Sequence, residues 1–229
     1  MAIDYTKRPA QPPQEPTPTR SSGPAPASER PVSLSKVTLT KAEPTVSLAK
    51  QAAGSLRVNL NWRPGGGGFL RKREPVDLDL GCLYEYVDGS RGVVQPIQAR
   101  FTDQHTFGTG PIVRLDGDDR SGTVSGGENL HVDLTQVTRI RRILVFAFIY
   151  SGVPNWAAAD GVVTVTPPVG PEVVVRLDEP ARDARMCGIA LLQQSGGELT
   201  VSREVRYTPG HEALDRAYGW GLSWVAASK

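Results

Sequence analysis

The chain is organised as short apolar alternations separated by turn-forming clusters. Val32, Leu34, Val37 and Leu39 open the series, and Leu56, Val58, Leu60 and Trp62 follow. Period-2 spacing of this kind places one row of side chains in a core and the other outside it, which predicts half-buried strands. Further strands are expected at Val76 to Tyr86, Leu130 to Leu134, Ile140 to Tyr150, Val162 to Thr166, Val173 to Leu177, Met186 to Gln193, Leu199 to Tyr207 and Leu222 to Ala226. Between them lie Gly, Pro, Asn and Asp clusters: Arg63 to Gly68, Asp88 to Gly92, Gly126 to Gly127, Pro167 to Pro171 and Ser195 to Gly197. Many short strands punctuated by turns predict an all-β fold, a two-sheet β-sandwich. One segment, Pro209 to Tyr218, has helical spacing, with Thr208 expected to cap it, Pro209 in its first turn and Gly219 behind it.

The first 31 residues hold eight of the 19 prolines and almost no aliphatic side chains. Such a stretch cannot bury enough apolar area to offset its ordering entropy. The division expected is a disordered Pro-rich tail over residues 1–31 and one sandwich domain over 32–229. Pro9 to Pro12 and Pro13 to Pro16 fit P-x-x-P, a pattern that tethers also satisfy.

Charge and cysteine content narrow the function classes. Lys+Arg 26 against Asp+Glu 24 leaves +2, so no global field points to nucleic acid or an anionic membrane. Two cysteines exclude a disulfide-stapled scaffold, and Cys82 and Cys187 sit in apolar patterns that predict buried, inert thiols. The longest apolar run, Ile143 to Tyr150, is far shorter than a spanning helix requires. Lys7 and Arg8 precede proline-rich sequence where an export signal would need an apolar stretch, so a cytoplasmic location is expected.

Candidate chemistry gathers on acidic residues. In Val76-Asp77-Leu78-Asp79-Leu80, a strand puts Asp77 and Asp79 on one face, roughly 7 Å apart, and the aliphatic residues on the other. Two carboxylates so placed repel and call for a cation, either a basic side chain or a hard divalent ion. A second cluster, Asp116-Gly117-Asp118-Asp119-Arg120-Ser121-Gly122, and then Glu128 after Gly126-Gly127, could bring further oxygens. Asp77, Asp79, Asp118, Asp119 and Glu128 together would supply most of the roughly 6 to 8 oxygens that calcium takes. Magnesium fits less well because it keeps more waters and demands stricter geometry. The alternative is a pair of ordinary solvated turns, with Arg120 neutralising its own loop.

Other motifs carry less. Gly65 to Gly68 lacks the Gly-Lys-Ser/Thr of a phosphate cradle and reads as a hairpin loop. His105, His131 and His211 form no metal-binding spacing, and no serine lies in a G-x-S-x-G elbow. Trp220, Leu222 and Trp224 share strand parity and make an apolar row for a core. Arg139, Arg141 and Arg142 precede the most hydrophobic strand and read as solvated, or as a small anion or partner patch.

Several of these segments, in their order, resemble the TerD domain proteins of tellurite-resistance and stress-response clusters, most closely the TerA-like branch. They are Val32-Ser33-Leu34-Ser35-Lys36, Val76-Asp77-Leu78-Asp79, Gly117-Asp118-Asp119-Arg120-Ser121-Gly122 and Gly126-Gly127-Glu128-Asn129-Leu130. Val153-Pro154-Asn155-Trp156 and the run from Ala217 to Val225 add to them. The resemblance implies a calcium-binding sandwich without catalytic activity, its metal ligands mapping onto Asp77, Asp79, Asp118 and Asp119. It also implies partners among other proteins of such clusters, with any membrane association passing through a partner and no direct nucleic-acid contact. Two departures stand out: Pro75 occupies a position where the family often has another Asp, and Thr123 to Gly127 is uncharged where many members are acidic. Fewer carboxylates imply one site rather than a two-ion cluster. Readings from other classes are a metal-dependent phosphoester hydrolase and a small-ligand or nucleotide-binding module.

Overall fold

The computed structural model describes residues 36–48, 53–63, 76–103, 110–117, 126–152, 155–181 and 183–225. The expected tail with its P-x-x-P segments, the Val32 to Leu34 strand, the Gly65 to Gly68 loop, His105, Asp118 and Asp119 lie outside them. In chain order the strands are β1 (Lys36–Thr38), β2 (Thr45–Ser47), β3 (Ser55–Asn61), β4 (Asp77–Tyr86), β5 (Arg91–Val94) and β6 (Val113–Leu115). They continue with β7 (Glu128–Asp133), β8 (Ile140–Ser151), β9 (Gly161–Thr166), β10 (Glu172–Leu177), β11 (Met186–Ser195) and β12 (Glu198–Thr208). Two α-helices, α1 (Trp156–Ala159) and α2 (His211–Tyr218), and two short 3-10 helices, Ile97–Ala99 and Leu134–Arg139, complete the described set.

The strands form two six-stranded sheets, ordered β1-β10-β9-β3-β7-β6 and β2-β12-β11-β8-β4-β5. Neighbours pair antiparallel except β1 with β10. Between the sheets, Leu56, Val58 and Leu60 of β3 and Leu130 and Val132 of β7 meet Leu78, Leu80 and Cys82 of β4 and Ile143, Val145 and Ala147 of β8. This is the two-sheet β-sandwich with a short C-terminal helix that the alternation predicts.

The unbroken apolar run of β8 has a physical reason. Its alternate residues Leu144, Phe146 and Phe148 face away from the inter-sheet core into a second cluster with Leu83, Met186, Leu214 and Trp220. A strand covered on both faces reads as continuously hydrophobic rather than alternating. The cover is α2 and the segment behind it.

That segment corrects an expectation. Leu222 to Val225 is not a strand; it is held as an irregular strap by the buried carboxylate of Asp215, which accepts from Gly221 N at 2.8 Å, Leu222 N at 2.9 Å and Trp224 Nε1 at 3.1 Å. Nor does Thr208 cap α2: Gly210 occupies the cap position without a side-chain bond, and the Thr208 hydroxyl donates to Gly210 O at 3.4 Å. Of the arginines at the start of β8, Arg141 is solvated at 65% side-chain exposure, whereas Arg142 is not. Arg142 Nε meets Glu85 Oε2 at 2.6 Å, its Nη1 donates to Tyr218 O at 2.9 Å, and its guanidinium lies 3.9 Å from the Trp220 ring centre. It supplies a cation where the end of a helix needs one.

Candidate metal centre

The acidic strand motif opens β4. Every residue of this strand is buried, Asp77 at 6% exposure and Asp79 at 0%. The aliphatic residues Leu78 and Leu80 enter the inter-sheet core as the alternation predicts. Asp79 stands opposite Phe148 and so belongs to the face turned away from that core. A register irregularity between Asp77 and Leu78 ends the regular ladder there, the kind of bulge that re-aims a side chain at the rim of a sheet.

The edge of this half-strand is also distinctive. β5 pairs with β4 only from Cys82 to Glu85, so among the described residues no strand pairs on that side with the residues before Cys82. Glu128, first residue of β7 in the opposite sheet, reaches across and accepts from Leu80 N at 2.5 Å. A carboxylate from one sheet therefore closes a backbone hydrogen bond in the other, beside Asp79. At 2% exposure Glu128 is as buried as the two aspartates.

Glu128 is held in place by its neighbours. Gly127 has φ +59, and a side chain there would run into Leu60 O, so only glycine turns the chain into β7 at this point. Asn59 Nδ2 donates to Gly126 O at 2.5 Å and to Asn129 Oδ1 at 2.9 Å, and Asn61 Nδ2 donates to Asn59 Oδ1. These asparagines lie on the outward row of β3. Their role was not legible from sequence, where they are simply the polar half of an alternation.

The structure thus brings Glu128 to the strand of Asp77 and Asp79. Asp118 and Asp119 belong to a segment that leaves after Gly117 and returns at Gly126, and its two ends are joined where Asp116 N donates to Asn129 O at 2.9 Å. Among the described residues, no group of three or more His, Cys, Asp or Glu side chains could hold a metal ion by itself.

Two further acidic sites lie outside the expected ligand set. Asp103, buried, accepts from the Tyr86 hydroxyl and from Ile112 N at 3.0 Å, fixing the approach to β6. On the outward side of the other sheet, His131 Nε2 lies 2.7 Å from Asp116 Oδ2, and Ser55 Oγ lies 3.5 Å from His131 Nδ1. Partial burial, the largest influence on Asp116, pushes its carboxyl up, but His131 and Arg114 together hold it below the ordinary carboxylate range. This Ser-His-Asp chain is solvent-exposed, and Asp116 is shared with Arg114. It has the residue types of a hydrolytic relay without the desolvated setting that makes one effective.

No protein-family model matches the chain. Over 205 residues, 86% of its length, it is 43% identical to the tellurium resistance protein TerA of an Alcaligenes species. The chain belongs to the tellurium-resistance family of TerA and TerD proteins. It spans 60% of the length of that TerA relative. A crystal structure of a homologue of the telluride resistance protein TerD from Streptomyces coelicolor superposes with a TM-score of 0.54 at 19% identity, covering 75% of this chain and 99% of the other. A protein described as of unknown function superposes with a TM-score of 0.52 at 14% identity, covering 76% and 100%. At these identities the two structures share the Ter sandwich fold, and the family assignment rests on the TerA match.

Proposed function

We propose that this Ter-family chain is a non-catalytic calcium-binding module of a tellurium-resistance or stress response, in which the ion ties the two sheets together and shapes a surface for other proteins of such a system. The observation that carries the reading is Glu128 crossing from β7 to accept from Leu80 N, on the strand that also carries the buried Asp77 and Asp79. Burying carboxylates is costly unless cations accompany them, and an all-oxygen donor set suits a hard divalent ion. Asp77, Asp79 and Glu128 would hold it, completed by Asp118 and Asp119 and by backbone or water oxygens. Bound calcium would supply charge neutralisation and cross-linking, not chemistry. No helix among the described residues is long and apolar enough to cross a membrane, which agrees with action beside partners in the cytoplasm.

The test is thermal unfolding and isothermal titration of the chelator-stripped full chain with calcium and with magnesium. At calcium about a hundredfold above its dissociation constant, linkage stabilises by about 2.7 kcal/mol. For a chain of this size that raises Tm by roughly 5–10 °C. The Asp77→Asn, Asp79→Asn double variant relieves like-charge repulsion, so without metal it melts no lower than the parent, and it loses the calcium-dependent rise. Identical melting of stripped and calcium-saturated parent protein overturns the proposal, as does an undiminished rise in the double variant.

A further inference from the structure

Away from the acidic strand, a cavity of about 510 Å³ lies at the free side of β5. That volume falls within the range of small-molecule sites. One wall is the loop from Gln95 to Arg100, pinched shut by Gln95 N donating to Arg100 O at 2.9 Å. Within it Gln98 and Ala99 both hold left-handed backbone conformations, φ 60 and 51, without being glycine. Two successive residues in that region are strained, and strain of this kind persists where the surroundings impose it. The opposite wall is the strap clasped by Asp215, presenting Leu222 and Trp224. On the floor is Gly92, where a side chain would collide with the Tyr84 hydroxyl. Both walls are therefore fixed before any ligand arrives, which lowers the entropic cost of binding.

The polar groups in this cavity are underused. Arg100, half-buried in the same wall, makes no ion pair among the described residues, whereas Arg91 already donates to Trp220 O at 2.6 Å. Glu212, also on the rim, is engaged by Arg216 at 2.8 Å. The cavity thus offers a cation and an indole.

We propose that this cavity binds a small organic anion with a flat apolar portion, its acidic group on Arg100 and its flat portion against Trp224. The acidic group can be a phosphate ester or a carboxylate. Adenosine 5′-monophosphate and indole-3-acetate represent the two sources, and uncharged adenosine is the control. Isothermal titration of the full chain, with tryptophan fluorescence as a second readout, shows one or both charged probes binding at millimolar concentration or below. Adenosine binds at least about tenfold more weakly, in keeping with loss of a charge-assisted hydrogen bond. Arg100→Gln weakens the charged probe by about the same factor and Arg100→Lys by less, while both variants keep the parent's melting temperature. Absence of binding by both charged probes overturns the proposal. So does adenosine binding equally well, or affinity unchanged in Arg100→Gln. Calcium titrations do not enter the readout, so failure here leaves the metal reading intact.

Discussion

His211 shows how a single side chain is committed by its surroundings. Its ring centre lies 5.0 Å from that of Phe148, 5.7 Å from Phe146 and 5.1 Å from Trp224. Burial among these rings pushes its pKa down to about 4 from 6.5. The folded form thus holds the ring neutral, while the unfolded chain takes up a proton below about pH 6.5. Stability is unaffected above that point and declines as pH falls toward 4. His211→Phe keeps the aromatic packing and removes the titration. Near pH 4.5 this variant is expected to be more stable than the parent by about 2 kcal/mol, discounted because the ring is not fully sealed from solvent, with little difference at pH 7.5. Thermal melts across that range check it, and parallel curves for the two proteins would refute the assignment.

At the level of elements, α2 is positioned from outside itself. Arg142 of β8 donates to the carbonyls of Tyr218 and Gly219 while paired with Glu85, and Trp220 Nε1 donates to Tyr84 O at 3.1 Å. Arg142→Met removes a partner from a carboxylate that is itself 11% exposed. The expected loss is about 2 kcal/mol, with tryptophan emission shifted to the red as Trp220 is wetted. Equilibrium denaturation followed by fluorescence measures both.

The same elements show what sequence could and could not convey. β3, β4, β7, β8, β9, β10, β11 and β12 were legible because each has enough alternating or continuous apolar residues to register a period. The three-residue strands β2 and β6 and the four-residue β5 were not, being too short to show one. Leu222 to Val225 alternates like a strand, yet its backbone bonds go to a carboxylate, a choice made by tertiary contact alone. Asp77 and Asp79 were conspicuous as acidic residues inside an apolar strand. Glu128 stood out less, since the Gly-Gly before it suggests only a turn, and its reach to Leu80 depends on how the sheets stack. Asp103 and Asp215 carried no signal, because most of their partners are backbone N–H groups that any sequence provides.

For the molecule as a whole, the sandwich is a doubly covered sheet laid on a singly covered one. Cys82 and Cys187 lie within it at 0% exposure, and burial, the dominant influence on both, pushes their thiols up. Neither should react with a thiol reagent in the native state, whereas both react once the chain is unfolded in denaturant. Stoichiometric labelling of the native protein would show that the sheets open far more readily than their packing implies.

The clasp at Asp215 also constrains how the molecule is made. Leu83, Leu144, Phe146 and Phe148 are all synthesised before α2 and the strap that shelters them. A nascent chain interrupted after β12 would carry both sheets and yet display a greasy outer surface, ready to stick to other unfinished chains. These later-made residues act as a safety catch on those made earlier.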